Sequence, residues 1–265
     1  MEETSIPQED PKPEIGMTSE APPPVEPLSV TDKFIGILTE PAVTFENVRA
    51  AGQRTSDWIV PVIVVSLILG VGMFIRFSNP DMAAEMMQKQ SEAVQAQVDS
   101  GDMTQEQADA ASTQLESMKG VIGIISAASA AIGYFFVFFF IALLYWLVVR
   151  FAMQGDASYG MILSVLGLSA WINAIDQLVS LLLTFITGSM FANLSPALFT
   201  DGDITAITPK LLMLLNPIAI WAVYVAGIGF EKTANISRTK AMIAAFGIWI
   251  LFSGLSMVMG WGGMG

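Results

Sequence analysis

The chain has 265 residues, of which 53% are hydrophobic and only 14% are charged, and its formal net charge is −12. Soluble domains carry about 25% charged residues, so this composition indicates a membrane protein. The absence of Cys and His excludes disulfides, the usual Cys/His zinc sites, haem attachment and a Ser-His-Asp triad.

The acidic charge is confined to two segments. Residues 1–30 hold seven acids and one Lys, and residues 78–119 hold eight acids and two Lys. Each segment therefore sums to −6, which leaves the rest of the chain neutral. A nucleic-acid-binding protein needs a basic stripe, and the sequence has none.

Two polar regions precede the first long apolar stretch. Residues 1–30 are acidic and rich in Pro, a composition typical of a disordered tail because it offers little apolar surface to bury. Residues 31–57 have a weaker amphipathic pattern that is split by Pro41. Short amphipathic helices near basic residues commonly lie at the membrane surface, so we predict an interfacial segment here.

The remainder, residues 58–261, predicts an all-α membrane protein, a five-span transmembrane helix bundle. The predicted spans cover residues 58–77, 120–149, 159–191, 211–230 and 241–261. The third stretch would be about 50 Å long as one helix, whereas the hydrocarbon core is about 30 Å thick. We therefore expect this helix to tilt, bend or begin in the interface, with its crossing at residues 170–191.

Between the first two spans, residues 80–118 predict an extramembrane helical hairpin. Asn79 and Pro80 form a helix-start signature. A turn follows at residues 99–102, and Thr104 with Gln107 matches a capping box for the second helix.

Small residues form faces on the second and fourth spans. Such faces let membrane helices approach closely, so we predict helix packing through them. Their members are Gly123, Ala127, Ala131, Ala219, Ala222, Ala226 and Gly229.

Polar residues recur at helical spacing along the third span and predict a polar seam on one face. They are Ser169, Asn173, Asp176, Gln177, Ser180, Thr184 and Thr187. Two interpretations remain open: hydrogen bonds that hold membrane helices together, or the path of a transported solute. Asp176 is the one acid that lies well inside a predicted span. We expect no Lys or Arg at a similar depth in the membrane to pair with it.

The basic residues beside the predicted spans set the topology. Six lie on the side that would share the N-terminus and four, Arg76 among them, on the other. This bias favours a multi-pass protein of the cell (inner or plasma) membrane, with a cytoplasmic N-terminus and an external C-terminus.

Three motifs in this order resemble the Yip family of multi-pass membrane proteins, whose eukaryotic members interact with Ypt/Rab GTPases. The motifs are EPAVTF (40–45) before DWIVPVIV (57–64), GDASYGMILSVLGLSAW (155–171) and GIGFEKTANISRTKA (227–241). The likeness spans about residues 34–259 and is closest to bacterial members. It implies a five-span fold with no assigned chemistry. The eukaryotic N-terminal signature is absent, so GTPase binding is not predicted.

Three classes of function are open to such a chain. We favour a non-enzymatic membrane protein that organises or associates with other membrane components, whose partners are the lipid bilayer and other membrane proteins or a second copy of the chain. The alternative is a small transporter or channel that uses the polar seam around Asp176. A membrane enzyme would need clustered catalytic groups, which the sequence lacks. No catalytic residue, cofactor or metal is predicted.

Overall fold

The computed structural model describes residues 25–117, 121–189, 192–200 and 207–258. Its helices are α1 Val30–Thr39, α2 Pro41–Ala51, α3 Ser56–Ser78, α4 Pro80–Asp99, α5 Gln105–Ser117, α6 Ile122–Leu147, α7 Tyr159–Thr187, α8 Ile207–Met213, α9 Pro217–Ala234 and α10 Arg238–Val258. A π-helical turn, Val148–Ala152, extends α6, and a 3₁₀ turn, Pro196–Phe199, precedes α8. The predicted disordered tail largely falls outside the described residues and stays a prediction.

Four of the described helices are long and apolar enough to cross a membrane. They are Ser56–Ser78, Ile122–Ala152, Tyr159–Thr187 and Arg238–Met257. They correspond to the predicted first, second, third and fifth spans.

The predicted span at residues 211–230 is not one helix. The chain leaves α8 after Met213 and re-enters a helix at Pro217, with Asn216 as the N-cap. The Asn216 side chain accepts hydrogen bonds from the backbone N–H groups of Ile218 and Ala219 at 2.9 and 3.4 Å. An Asn-Pro pair ends one helix and starts the next, because Pro supplies no N–H to continue the first.

Helix α7 lies at the centre of the bundle. More than half of its most apolar window is buried, 56%, against 28% or less in the other three candidate spans. It is a single helix of 29 residues that ends at Gly188, whose left-handed conformation closes the last turn. The helix is continuous through residue 170, where the predicted crossing begins, and it stops short of residue 191.

Close approaches fix the directions of the helices around α7. Gly167 lies against the start of α3, because a Cβ there would be 2.3 Å from the Cα of Trp58. Helix α9 runs antiparallel to α7: Asn216 at its start contacts Asp176, and Gly229 near its end lies against Val165.

Helices α1 and α2 are part of the core rather than a loosely attached surface segment. Ile37 and Phe45 are 0% exposed, and Val48 is 1% exposed. They join the main apolar cluster formed by α6, α7, α9 and α10. A Cβ on Gly229 would lie 2.9 Å from the Phe45 ring, so this glycine provides the space in which the ring lies. We call the end of the bundle formed by α1, α2 and the first residues of α3 and α7 the cap end. The opposite end, where α3 and α7 finish, is the distal end.

The helices of the predicted hairpin are present as α4 and α5. Asn79 caps α4, and Thr104 and Gln107 exchange the hydrogen bonds of a capping box at α5. Among the described residues of the two helices, the hydrophobic side chains that are buried are Met82 and Ala108. The pair therefore shares little apolar surface with the bundle.

Candidate functional site

The polar seam contacts three neighbouring helices, each at a different level. Near the cap end, Asn173 pairs with the hydroxyl group of Tyr134 on α6. Ser169, one turn earlier, is buried and donates to the carbonyl of Val165 in its own helix at 2.9 Å. This part of the seam links α7 to α6 through one side-chain pair.

At the middle level, Asp176 meets the break between α8 and α9. The Asn216 Nδ2 donates to the Asp176 Oδ1 at 2.8 Å. The same Asn216 side chain caps α9 and is only 4% exposed. The carboxyl group therefore faces the N-terminus of a helix, where the backbone dipole favours negative charge.

At the distal end, Arg76 of α3 reaches the seam. Its Nη2 lies 3.4 Å from the Ser180 Oγ and 3.5 Å from the Thr184 Oγ1, and the residue is 8% exposed. Arg76, counted above among the basic residues that flank the spans, belongs to the last turn of α3, inside the predicted first span. Asp176 itself pairs with an amide, not with this cation.

Gln177 and Thr187 make no hydrogen bond to another helix among the described residues. Thr187 is exposed, donates to the carbonyl of Leu183 and accepts from the backbone N–H of Ser189. Gln177 is half-buried and has no hydrogen bond within the described ranges. Of the seven predicted seam residues, the structure thus brings Asn173, Asp176, Ser180 and Thr184 into interhelical contact.

The small-residue faces lie against other helices of the same chain. On α6, Ala127 and Ala131 face Gly70 of α3: a Cβ on Gly70 would be 3.2 Å from the Ala127 carbonyl oxygen and 3.3 Å from the Ala131 Cβ. Gly123 lies against Phe77 in the same way, since a Cβ on this glycine would be 3.1 Å from the Phe77 Cβ.

On α9, Ala222, Ala226 and Gly229 are buried, and Ala219 is half-buried. Gly229 contacts α7 and α2, as described above. These faces therefore contribute to packing inside the bundle.

A buried ion pair at the cap end was not predicted from the sequence. The Lys33 Nζ lies 2.6 Å from the Asp57 Oδ1, and the two side chains are 3% and 1% exposed. The Asp57 Oδ2 also accepts the backbone N–H of Arg54 at 3.0 Å. The sequence offered one signal: an acid, Asp57, lies at the start of the first span, and the segment before it carries Lys33.

A polar groove opens at the cap end, between α2 and the turn from α9 to α10. Its volume is about 760 Å³, and its walls include Glu46, Arg49, Lys232, Asn235 and Ser237. The Lys232 Nζ lies 2.6 Å from the Glu46 Oε1. The hydrogen bond and charge of Glu46 raise the pKa of Lys232, so Lys232 keeps its positive charge at neutral pH.

A second set of contacts holds the groove in place. The Arg49 Nη1 donates to the carbonyl of Lys232 at 3.2 Å, and its Nη2 lies 4.0 Å from a carboxylate oxygen of Asp156. The backbone N–H of Asp156 donates to the carbonyl of Ala234 at 3.0 Å. Residues from α2, the segment after α6 and the α9–α10 turn thus form one continuous polar surface.

Comparisons with known proteins agree with this architecture. A family model described as the Yip1 domain matches residues 35–259. The chain is 26% identical over 229 residues to "Membrane protein YknW" of Bacillus subtilis (strain 168), a match that covers 83% of this chain and 87% of that protein. No solved structure is significantly similar.

Proposed function

Because the chain belongs to the Yip1 domain family, a family of membrane proteins, we propose that it is a multi-pass protein of the cell membrane that has no enzymatic activity and associates with other membrane components. The observation that carries this proposal is the polar groove at the cap end. The groove presents fixed charges of both signs on a support that is rigidly attached to the spans.

The rigidity of the groove follows from what lies beneath it. Phe45 and Val48 of α2 are fully buried, and the Lys33–Asp57 pair joins α1 to α3. A buried pair breaks at high cost, since separation leaves an uncompensated charge. The groove therefore keeps its shape without a partner, which lowers the entropy lost on binding.

The chemistry of the groove favours recognition over catalysis. Glu46 pairs with Lys232, and Arg49 donates to the carbonyl of Lys232. The chain supplies no His or Cys as a base or nucleophile. Charges of opposite sign at fixed positions select a partner with the complementary pattern. A protein segment at the membrane surface fits this pattern better than a uniformly anionic lipid surface.

The proposal is tested by purifying the tagged protein in mild detergent and identifying the proteins that co-purify. Glu46→Lys reverses one wall of the groove, and Asp109→Lys makes the same charge change on the exposed face of α5. We expect a specific partner to be lost with Glu46→Lys and retained with Asp109→Lys. Equal recovery of the partner with both variants would show that the groove is not part of the binding interface.

We also propose that α9 is a fifth span, so that the two termini lie on opposite sides of the membrane. The bias of basic residues favours a cytoplasmic N-terminus and an external C-terminus. Its support is the packing of α9 along α7 from Asp176 to Val165. Reporter fusions after residues 54, 100, 154, 200, 236 and 265 should alternate between inside and outside, beginning inside. A periplasm-only reporter that is active at residue 236 would exclude this topology.

A second candidate, a small transporter, is favoured by one observation. Asp176 faces a helix break inside the bundle, and broken helices with an ionisable partner occur at transporter binding sites. Asp176→Asn keeps a partner for Asn216 and should fold normally. If the parent protein carries a proton or ion flux in liposomes that this variant abolishes, transport replaces association as the function.

A further inference from the structure

The charge of Arg76 is not compensated by the rest of the described chain. The residue is 8% exposed, yet no carboxylate in the described ranges lies within 4.0 Å of its guanidinium group. Its Nε is enclosed without a hydrogen-bond partner. Nη1 also has no partner among those residues, so two of the three nitrogens are unsatisfied.

The two contacts that Arg76 makes are weak and neutral. The Ser180 hydroxyl already donates to the carbonyl of Ala192 at 2.6 Å, and the Thr184 hydroxyl donates to the carbonyl of Ser180 at 2.9 Å. Both oxygens can therefore only accept from Arg76, at 3.4 and 3.5 Å. They orient the guanidinium group without neutralising it. The carbonyl ends of α3 and α7 add only partial negative charge.

The position of Arg76 suits a lipid phosphate. It lies about 27 Å along the α3 axis from Trp58, close to the thickness of a hydrocarbon core of about 30 Å. The side chains of Phe74 and Ile186, in the same turns of α3 and α7, are 49% and 79% exposed. Such apolar surface is where acyl chains pack, and headgroups lie beyond it.

Gly72 leaves room on the side of Nη1. A methyl group on Gly72 would meet only the Arg76 Nη1, at 3.2 Å. The N–H groups of Nη1 donate to no described residue, and a phosphate oxygen is a charged acceptor suited to a guanidinium N–H group. We propose that Arg76 binds the phosphodiester group of a membrane phospholipid at the distal end of α3 and α7. This site is separate from the groove of the proposed function.

The test uses the full chain, delipidated in detergent, and measures its thermal unfolding midpoint with and without dioleoylphosphatidylglycerol. A ligand that binds only the folded state raises the midpoint, here by about 2–4 °C. Dioleoylglycerol, which lacks the phosphate, should give no rise. Arg76→Gln should abolish the rise, whereas Arg54→Gln, at an exposed site of the cap end, should keep it.

Several results would overturn the proposal. One is an equal lipid-dependent rise in Arg76→Gln and in the parent, which would mean that Arg76 has only a structural role. Another is the same rise with inorganic phosphate at equal concentration, which would assign the site to a free anion instead of a lipid. If Arg76→Gln does not fold, Gly72→Ala keeps the charge and crowds Nη1. An undiminished lipid effect in Gly72→Ala would then refute the site.

Discussion

Two pairs of short polar helices flank the first span, and they differ in how they attach to the bundle. Helices α1 and α2 precede α3, and α4 and α5 follow it. The first pair inserts Ile37, Phe45 and Val48 into the main core, whereas the second buries only Met82 and Ala108 among its described hydrophobic side chains. Both pairs are amphipathic, so amphipathicity alone does not decide whether a helix joins the core.

The difference lies in the size of the apolar side chains and in the surface that receives them. The buried hydrophobic residue of α5 among those described is Ala108, whose methyl group contributes little buried area. Phe45 contributes a whole ring and meets Gly229, the residue that leaves space for it. A large side chain that fits against a glycine of a neighbouring helix makes its own helix part of the fold.

Phe45→Ala should have the largest effect. The ring is 0% exposed, so its removal leaves a cavity and should lower the free energy of unfolding by about 3–5 kcal/mol. Val43→Ala on the same helix is a matched control, because Val43 is 57% exposed, and should change it by about 0.5 kcal/mol or less. Thermal unfolding in detergent measures both, and equal midpoints would show that α2 is not part of the core.

Asp57→Leu should lower the free energy of unfolding nearly as much as Phe45→Ala. It leaves the Lys33 ammonium group buried without its counter-charge, a loss of about 3–5 kcal/mol. The double variant Lys33→Met with Asp57→Leu removes both charges and should recover most of the loss. If the double variant loses as much free energy of unfolding as Lys33→Met and Asp57→Leu lose together, the two residues do not interact.

Gly229→Ala should have an intermediate effect. Its methyl group would lie 2.4 Å from the Val165 Cγ1 and 2.9 Å from the Phe45 ring, and such overpacking costs about 1–3 kcal/mol. Gly247→Ala on α10 is the control, since nothing lies within 4 Å of a Cβ there. This control should be neutral or stabilise the helix by up to about 1 kcal/mol.

Deleting the second helix pair should have the smallest effect. Replacement of residues 82–116 by a short Gly/Ser linker removes little buried apolar surface, so expression and the unfolding midpoint should stay close to those of the parent protein. Removal of residues 31–51, which takes away the first helix pair, should by contrast abolish the folded bundle. Loss of the bundle in the 82–116 variant would show that α4 and α5 form a structural lid.

The sequence by itself determined the membrane class, the approximate positions of most helices and the capping residues of α4 and α5. These features depend on residues three or four positions apart, so local periodicity shows them. The helical pair after the first span also follows from its own capping residues.

Only the tertiary structure decided which polar groups meet. Lys33 and Asp57 are 24 positions apart, Asp176 and Asn216 are 40 apart, and Arg76 and Ser180 are 104 apart. Whether a charge near the end of a span lies in water or against another helix depends on how the helices cross. That crossing is set by close approaches at glycines such as Gly167, and no local pattern in the sequence shows which surface such a glycine will meet.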